Sequence, residues 1–134
     1  MRFFALTACC LLVSLPAWAA PKTPNPATPK TETVTVVMVD DRFEPDHVIF
    51  HAGRPTALHL VNQGKDMHEF TAPEFLHASK IRTPHALSNN GGDIVVQPGQ
   101  TVVVKLVPGH AGDYKLICAD HDWDGMVGSI TVQP

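Results

Sequence analysis

The chain has little cysteine: three residues in 134, two of them the adjacent pair Cys9-Cys10 near the start. The rest of the chain therefore holds a single thiol, Cys118, and no internal disulfide can be drawn within it. There is no run of basic side chains, since ten Lys and Arg are scattered among thirteen Asp and Glu. That excludes nucleic acid and an anionic membrane surface as natural partners. Aromatics are sparse at 7%, with one Tyr and two Trp. The single long apolar run, Phe3 to Leu15, falls short of the roughly 20 residues that a membrane span needs. No nucleophile motif of the Gly-x-Ser-x-Gly kind occurs.

What the N-terminus does hold is a leader pattern. Arg2 precedes the apolar run, and Pro16 and Ala17-Trp18-Ala19 follow it, the order of a secretory signal peptide with its small-residue cleavage site. Residues 1–19 are expected to be removed after Ala19, which places the mature protein in the periplasm. Cys9 and Cys10 leave with the leader. Nine basic side chains (ten less Arg2) then face thirteen acidic ones, a net charge of −4. Residues 20–32 are rich in Pro, Thr and Lys with almost no large apolar side chain, and read as an extended tether.

From Thr33 the pattern changes to short β-branched runs broken by turn residues. Strands are expected near 33–39, 47–51, 56–62, 68–72, 93–97, 101–107, 113–118 and 127–133. Ala52-Gly-Arg-Pro55 marks one turn, and Gln97-Pro-Gly-Gln100 has Pro and Gly where a type II turn wants them. Polar and apolar residues alternate along Thr33–Val37 and Thr101–Lys105, so each strand buries one face. About eight short strands and no long helix indicate an all-β fold, an antiparallel Greek-key β-sandwich over 33–134. Phe43, Phe50, Leu58, Leu60, Phe70, Leu106, Tyr114, Leu116 and Ile130 are its expected core. Residues 73–92 form an insert, long for a loop in so small a domain. Within it Glu74–Lys80 suits one or two helical turns packed on one side of the sandwich.

The densest chemistry lies in Cys118-Ala-Asp-His121-Asp-Trp-Asp-Gly-Met126: a thiol, an imidazole and a thioether in one loop. His68 lies upstream, after the turn Asn62-Gln-Gly-Lys-Asp-Met67 and before the apolar Phe70. Two imidazoles, a thiolate and a weak axial thioether form the ligand set of a mononuclear electron-transfer copper site. Zinc has no use for the thioether. A metal enzyme needs an open coordination position, and four protein donors leave none.

The loop resembles the short Cys-x-x-His-x-x-x-x-Met ligand loop of the cupredoxins, in its plastocyanin and pseudoazurin form. His68 matches the family's upstream histidine. The resemblance spans about Thr33 to Pro134 and implies one copper ion held by His68, Cys118, His121 and Met126. It also implies single-electron transport by Cu(I)/Cu(II) cycling and no catalysis. The implied partner is a redox protein, such as a c-type cytochrome or a copper oxidase or reductase, docking near His121 and Trp123 on a monomer. Two positions depart from the family pattern: Glu69 stands where an asparagine usually ties the ligand loops together, and Asp120 where a proline is common. The binuclear copper centre of respiratory oxidases needs two loop cysteines, and this loop has one. A second reading keeps the copper and changes the task to copper tolerance or delivery. The tether, the insert and the extra histidines His77 and His85 suit that reading, and these two could form a second Cu(I) site.

Overall fold

The computed structural model describes residues 29–134; the leader, 1–19, and residues 20–28 of the tether lie outside the described residues. Strand formation follows the alternation. In β1 (Glu32–Val39) the inward side chains Val36 and Met38 are fully buried while Thr33 and Thr35 face water. In β4 (Thr56–Asn62) burial alternates without a break, with Thr56, Leu58, Leu60 and Asn62 inside. The chain continues as β2 (Arg42–Glu44), β3 (His47–His51), β5 (His68–Thr71), a short helix α1 (Pro73–Ala78) and β6 (Lys80–Ile81). It ends with β7 (Asp93–Val96), β8 (Thr101–Val107), β9 (Gly112–Ile117) and β10 (Val127–Gln133). Two five-stranded sheets result, one ordered β2-β1-β4-β8-β6 and the other β3-β10-β9-β5-β7.

The eight expected strands fall within one residue of their observed ends, and β2 and β6 are added to them. The sandwich is not antiparallel throughout. β1 pairs with β4 in parallel, as does β3 with β10. The chain spends β3 in the second sheet, so β4 returns to the first sheet running in the same direction as β1. Such pairing through a crossover is invisible to local alternation.

Between the sheets lies one apolar core, with Phe43, Phe50, Phe70, Leu58, Leu60, Leu106, Leu116 and Ile130 at most 2% exposed. Tyr114 from the expected set is only half-buried, because its hydroxyl reaches out to donate to the His110 carbonyl at 2.9 Å. Gly53 and Gly99 both take φ = 73°, a left-handed conformation that glycine adopts without a Cβ clash. The Gln100 N–H donates to the Gln97 carbonyl at 3.0 Å, closing the expected type II turn.

The insert does more than lie against one side. It leaves β5 in one sheet, adds β6 to the edge of the other against β8, and returns to β7 at the edge of the first. It thereby pairs part of the β8 edge, which would otherwise end that sheet open. Pro73 opens α1 at a position where its missing N–H costs nothing. Phe75 and Leu76 of α1 are buried at 1% exposure. The Phe75 ring sits 4.7 Å from that of Phe50 and 5.8 Å from that of Tyr114. Gly109 packs against the Ala78 carbonyl so closely that a Cβ there would clash with it. Among the described residues no helix is long and apolar enough to cross a membrane.

Candidate metal centre

Cys118 directly follows β9, and its backbone N–H donates to the Met126 carbonyl at 3.0 Å, so the two ends of the loop are tied together. Within the loop, the His121 N–H donates to the Cys118 carbonyl at 3.1 Å and the Met126 N–H to the His121 carbonyl at 3.1 Å. A single turn of 3-10 helix, Asp122–Asp124, ends at Gly125 with φ = 98°, a left-handed closure suited to glycine. The loop thus has fixed geometry although it carries no strand. The Cys118 and Met126 side chains are fully buried. His121 is half-buried, and Trp123 beside it is 77% exposed.

His68 opens β5, which lies between β7 and β9. The register Thr71↔Ile117 carries the start of β5 toward the Cys118 loop. Asn62, buried at the end of β4, holds the preceding turn in place. Its side-chain amide donates to the Asp66 and Val96 carbonyls, each at 2.8 Å, and its oxygen accepts the Gly64 N–H at 2.8 Å. His68 itself is buried.

The structure brings three of the four expected donors into one cluster. His68, Cys118 and His121 have donor atoms within 4.8 Å of one another, and they are the only such group of three or more His, Cys, Asp or Glu donors among the described residues. Both rings turn Nδ1 to the sulfur: Cys118 Sγ lies 3.4 Å from Nδ1 of His121 and 3.9 Å from Nδ1 of His68. The two rings meet edge to face with centroids 4.9 Å apart. Bonds of about 2.0 Å to nitrogen and 2.3 Å to sulfur, at angles near 110–120°, would set the donors roughly 3.5–3.7 Å apart. The two sulfur–nitrogen spacings, 3.4 and 3.9 Å, bracket that value, so the thiol and the two imidazoles stand where one ion can engage all three. Met126 is bound into the same loop, and the buried soft donors Cys118 and Met126 suit copper over a hard cation.

Glu69 accounts for part of the loop tie that the sequence left open. Its backbone N–H donates to Cys118 Sγ at 3.4 Å, and its carboxyl, 8% exposed, faces the Ala119 N–H as acceptor. An asparagine is therefore not needed to join the two segments. Burial pushes the Glu69 carboxyl above its ordinary range, helped by the nearby charges of Asp120 and Asp93. Burial likewise pushes the Cys118 thiol up, against the pull of the Glu69, Asp120 and His121 N–H groups. Loading a metal displaces that proton, because the thiolate is the ligand form.

The remaining histidines stay apart. His47 bonds Ser129 at 2.8 Å, His51 bonds Glu32 at 3.1 Å and His77 bonds the Asn90 carbonyl at 3.2 Å. His85 and His110 are exposed. Neither His77 nor His85 belongs to a group of three or more such donors among the described residues. One residue that the sequence did not single out does reach the centre: Asp40, in the turn between β1 and β2, places Oδ1 3.6 Å from Nε2 of His68. It stands 28 positions upstream with nothing local to mark it.

Residues 8–132 match the profile of the cupredoxin-like domain. No curated protein sequence matches the chain. Among solved structures, auracyanin B is 21% identical with a TM-score of 0.57, covering 80% of this chain and 91% of its own. Auracyanin from the photosynthetic bacterium Roseiflexus castenholzii is 14% identical with a TM-score of 0.59, covering 76% of this chain and 97% of its own. A multicopper oxidase from Campylobacter jejuni is 13% identical with a TM-score of 0.60, and the match takes 84% of this chain but only 32% of the oxidase. These likenesses are of fold. Together with the donor cluster, the profile match over nearly the whole length settles the family: the chain belongs to the cupredoxin-like domains, and its cofactor is one copper ion.

Proposed function

We propose that the protein is an exported, periplasmic carrier of single electrons, with His68, Cys118, His121 and Met126 as the ligands of its copper. The observation that carries this reading is the buried Cys118 thiol with two imidazole Nδ1 atoms at 3.4 and 3.9 Å. When bound, copper supplies a Cu(I)/Cu(II) couple. The protein's part is to hold the donors where either oxidation state is served, so that little moves on electron transfer. Both segments are pinned for this by backbone hydrogen bonds within the loop and by Asn62 beneath the turn. His68, Cys118 and Met126 are shut away from water, while His121 reaches toward the surface and provides the way out for the electron. No separate substrate pocket is required. The largely buried donor set, pinned by backbone hydrogen bonds, favours an electron carrier over copper tolerance or delivery, since a site that must hand on its copper needs access to it.

The test is the visible spectrum of the mature chain after addition of Cu(II), then ascorbate, then reoxidation. An intense thiolate-to-copper band that bleaches and returns is the expected result. Weak ligand-field absorption alone, or copper that is reduced and trapped, would overturn the electron-carrier reading.

The surface over His121 gives the partner its character. Trp123 stands 77% exposed, its indole N–H tied to the Asp120 carbonyl at 3.0 Å, and Asp120, Asp122 and Asp124 are all exposed around it. An apolar contact ringed by three carboxylates suits a basic partner face. The triple change of Asp120, Asp122 and Asp124 to Asn should slow electron transfer to a basic c-type cytochrome about tenfold at low salt, and the difference should fade as salt rises. Stopped-flow rates independent of ionic strength would rule this docking mode out.

A further inference from the structure

We propose that Asp40 is the outer partner of His68: its carboxylate accepts the Nε2–H that the ring must carry when Nδ1 faces the copper, and so orients the imidazole and makes it a stronger donor. The proposal rests on the copper reading above and concerns a residue that the reading does not assign. Three observations carry it. Nε2 of His68 is buried and has no hydrogen-bond partner, on a side chain only 1% exposed. With Nδ1 turned to Cys118 Sγ, the proton belongs on Nε2, which then needs an acceptor. Asp40 Oδ1 lies 3.6 Å away, longer than the about 2.7–3.2 Å of a formed bond, so a shift of about half an ångström closes it.

The surroundings hold that carboxylate in place and leave room for the shift. Asp40 Oδ1 already accepts the Lys65 N–H at 2.8 Å, so the His68 turn itself grips the Asp40 side chain. Gly64 lies between the two groups. A Cβ built there would come within 2.5 Å of Asp40 Oδ1 and 2.8 Å of His68 Nε2, so any other residue would wedge the pair apart. Gly64 is thus required by close approach rather than by its backbone angle. A carboxylate behind a metal-binding imidazole fixes its tautomer and raises its basicity. Both the added negative charge and the stronger donor favour Cu(II) over Cu(I). The carboxylate is half-exposed, at 45%, which moderates the effect through solvent.

The test is the reduction potential of the copper-loaded chain, compared among wild type, D40N, D40A and D41N. Asn at position 40 keeps an oxygen for the Lys65 N–H and removes the charge; D40A removes the acceptor altogether. Asp41 is exposed on the same turn with φ = 66°, a conformation Asn tolerates, so D41N removes an equal charge nearby without touching His68. D40N and D40A should shift the Cu(II)/Cu(I) ratio at fixed ambient potential about tenfold toward Cu(I), about 59 mV for one electron. D41N should shift it less than twofold. In the reduced, diamagnetic protein the His68 Nε2–H resonance should be shielded from exchange in wild type and move upfield in both position-40 variants. A wild type that shows the thiolate band but whose potential and Nε2–H resonance do not change in D40N and D40A overturns this proposal alone. An equal shift in D41N also overturns it, by reducing the effect to general charge. A wild type with no thiolate band overturns the copper reading and this proposal with it.

Discussion

Replacing Cys118 with serine will abolish the intense visible absorption of the copper-loaded protein and leave the sandwich folded. The band arises from charge transfer between thiolate and Cu(II), and Cys118 is the single thiol among the described residues. A serine hydroxyl is nearly the same size, but it is a hard donor that does not ionise near neutral pH. The other ligands proposed, His68, His121 and Met126, would then offer at most weak ligand-field colour. The fold should tolerate the change. Serine receives the same Glu69 N–H that now reaches Sγ at 3.4 Å, so the buried hydroxyl has a partner, and the cost should stay near 1–2 kcal/mol. Far-ultraviolet circular dichroism should therefore overlay on wild type while the visible band is gone. A persisting band would mean that sulfur from another residue binds the metal, and the assignment of Cys118 would fail. Loss of both band and fold would point instead to a packing role for the thiol.

The parts of this protein legible in its sequence are those that depend on neighbours along the chain. The alternation Thr33–Val37 and Thr101–Lys105 locates β1 and β8, and Pro98-Gly99 locates the turn before β8. The spacing of Cys118, His121 and Met126 is readable for the same reason, since one loop carries all three. His68 is chosen from eight histidines by its turn and by the apolar residue that follows, and the structure sets it beside Cys118. What stayed hidden depends on contacts between distant segments. β2 and β6 have three and two residues, too few for a periodicity to show, and exist because β1 and β8 offer edges to pair with. The parallel pairing of β1 with β4 is decided by where β3 goes. Asp40 is one of many acidic surface residues until the β1–β2 turn folds it over Gly64. Glu69 reads locally only as a departure that must change the loop tie, whereas in the fold its backbone N–H and buried carboxyl both face the Cys118 segment.

Phe75→Ala should cost about 3–5 kcal/mol of folding stability, although residue 75 sits in an insert that the sequence presents as peripheral. Phe75 is 1% exposed, and its ring bridges Phe50 of β3 and Tyr114 of β9. Removing it opens a cavity that neither neighbour can fill, because both belong to strands locked in one sheet by β10 between them. Leu76, the other buried residue of α1, would lose its anchor at the same time. Against the roughly 5–15 kcal/mol that holds a domain folded, this is a large fraction. Urea unfolding of the metal-free protein should show a lower midpoint with an unchanged slope, and Phe75→Leu should recover most of the loss by refilling the volume. The copper spectrum of the folded variant should be that of wild type, because the Phe75 ring packs on Phe50 and Tyr114 rather than serving as a donor. A cost below about 1 kcal/mol, the size of an ordinary surface change, would mean that α1 detaches without harm and that the core closes without the insert. A full cost together with an unchanged spectrum would separate the two tasks of the chain: the insert completes the core, and the Cys118 loop with the His68 turn holds the metal.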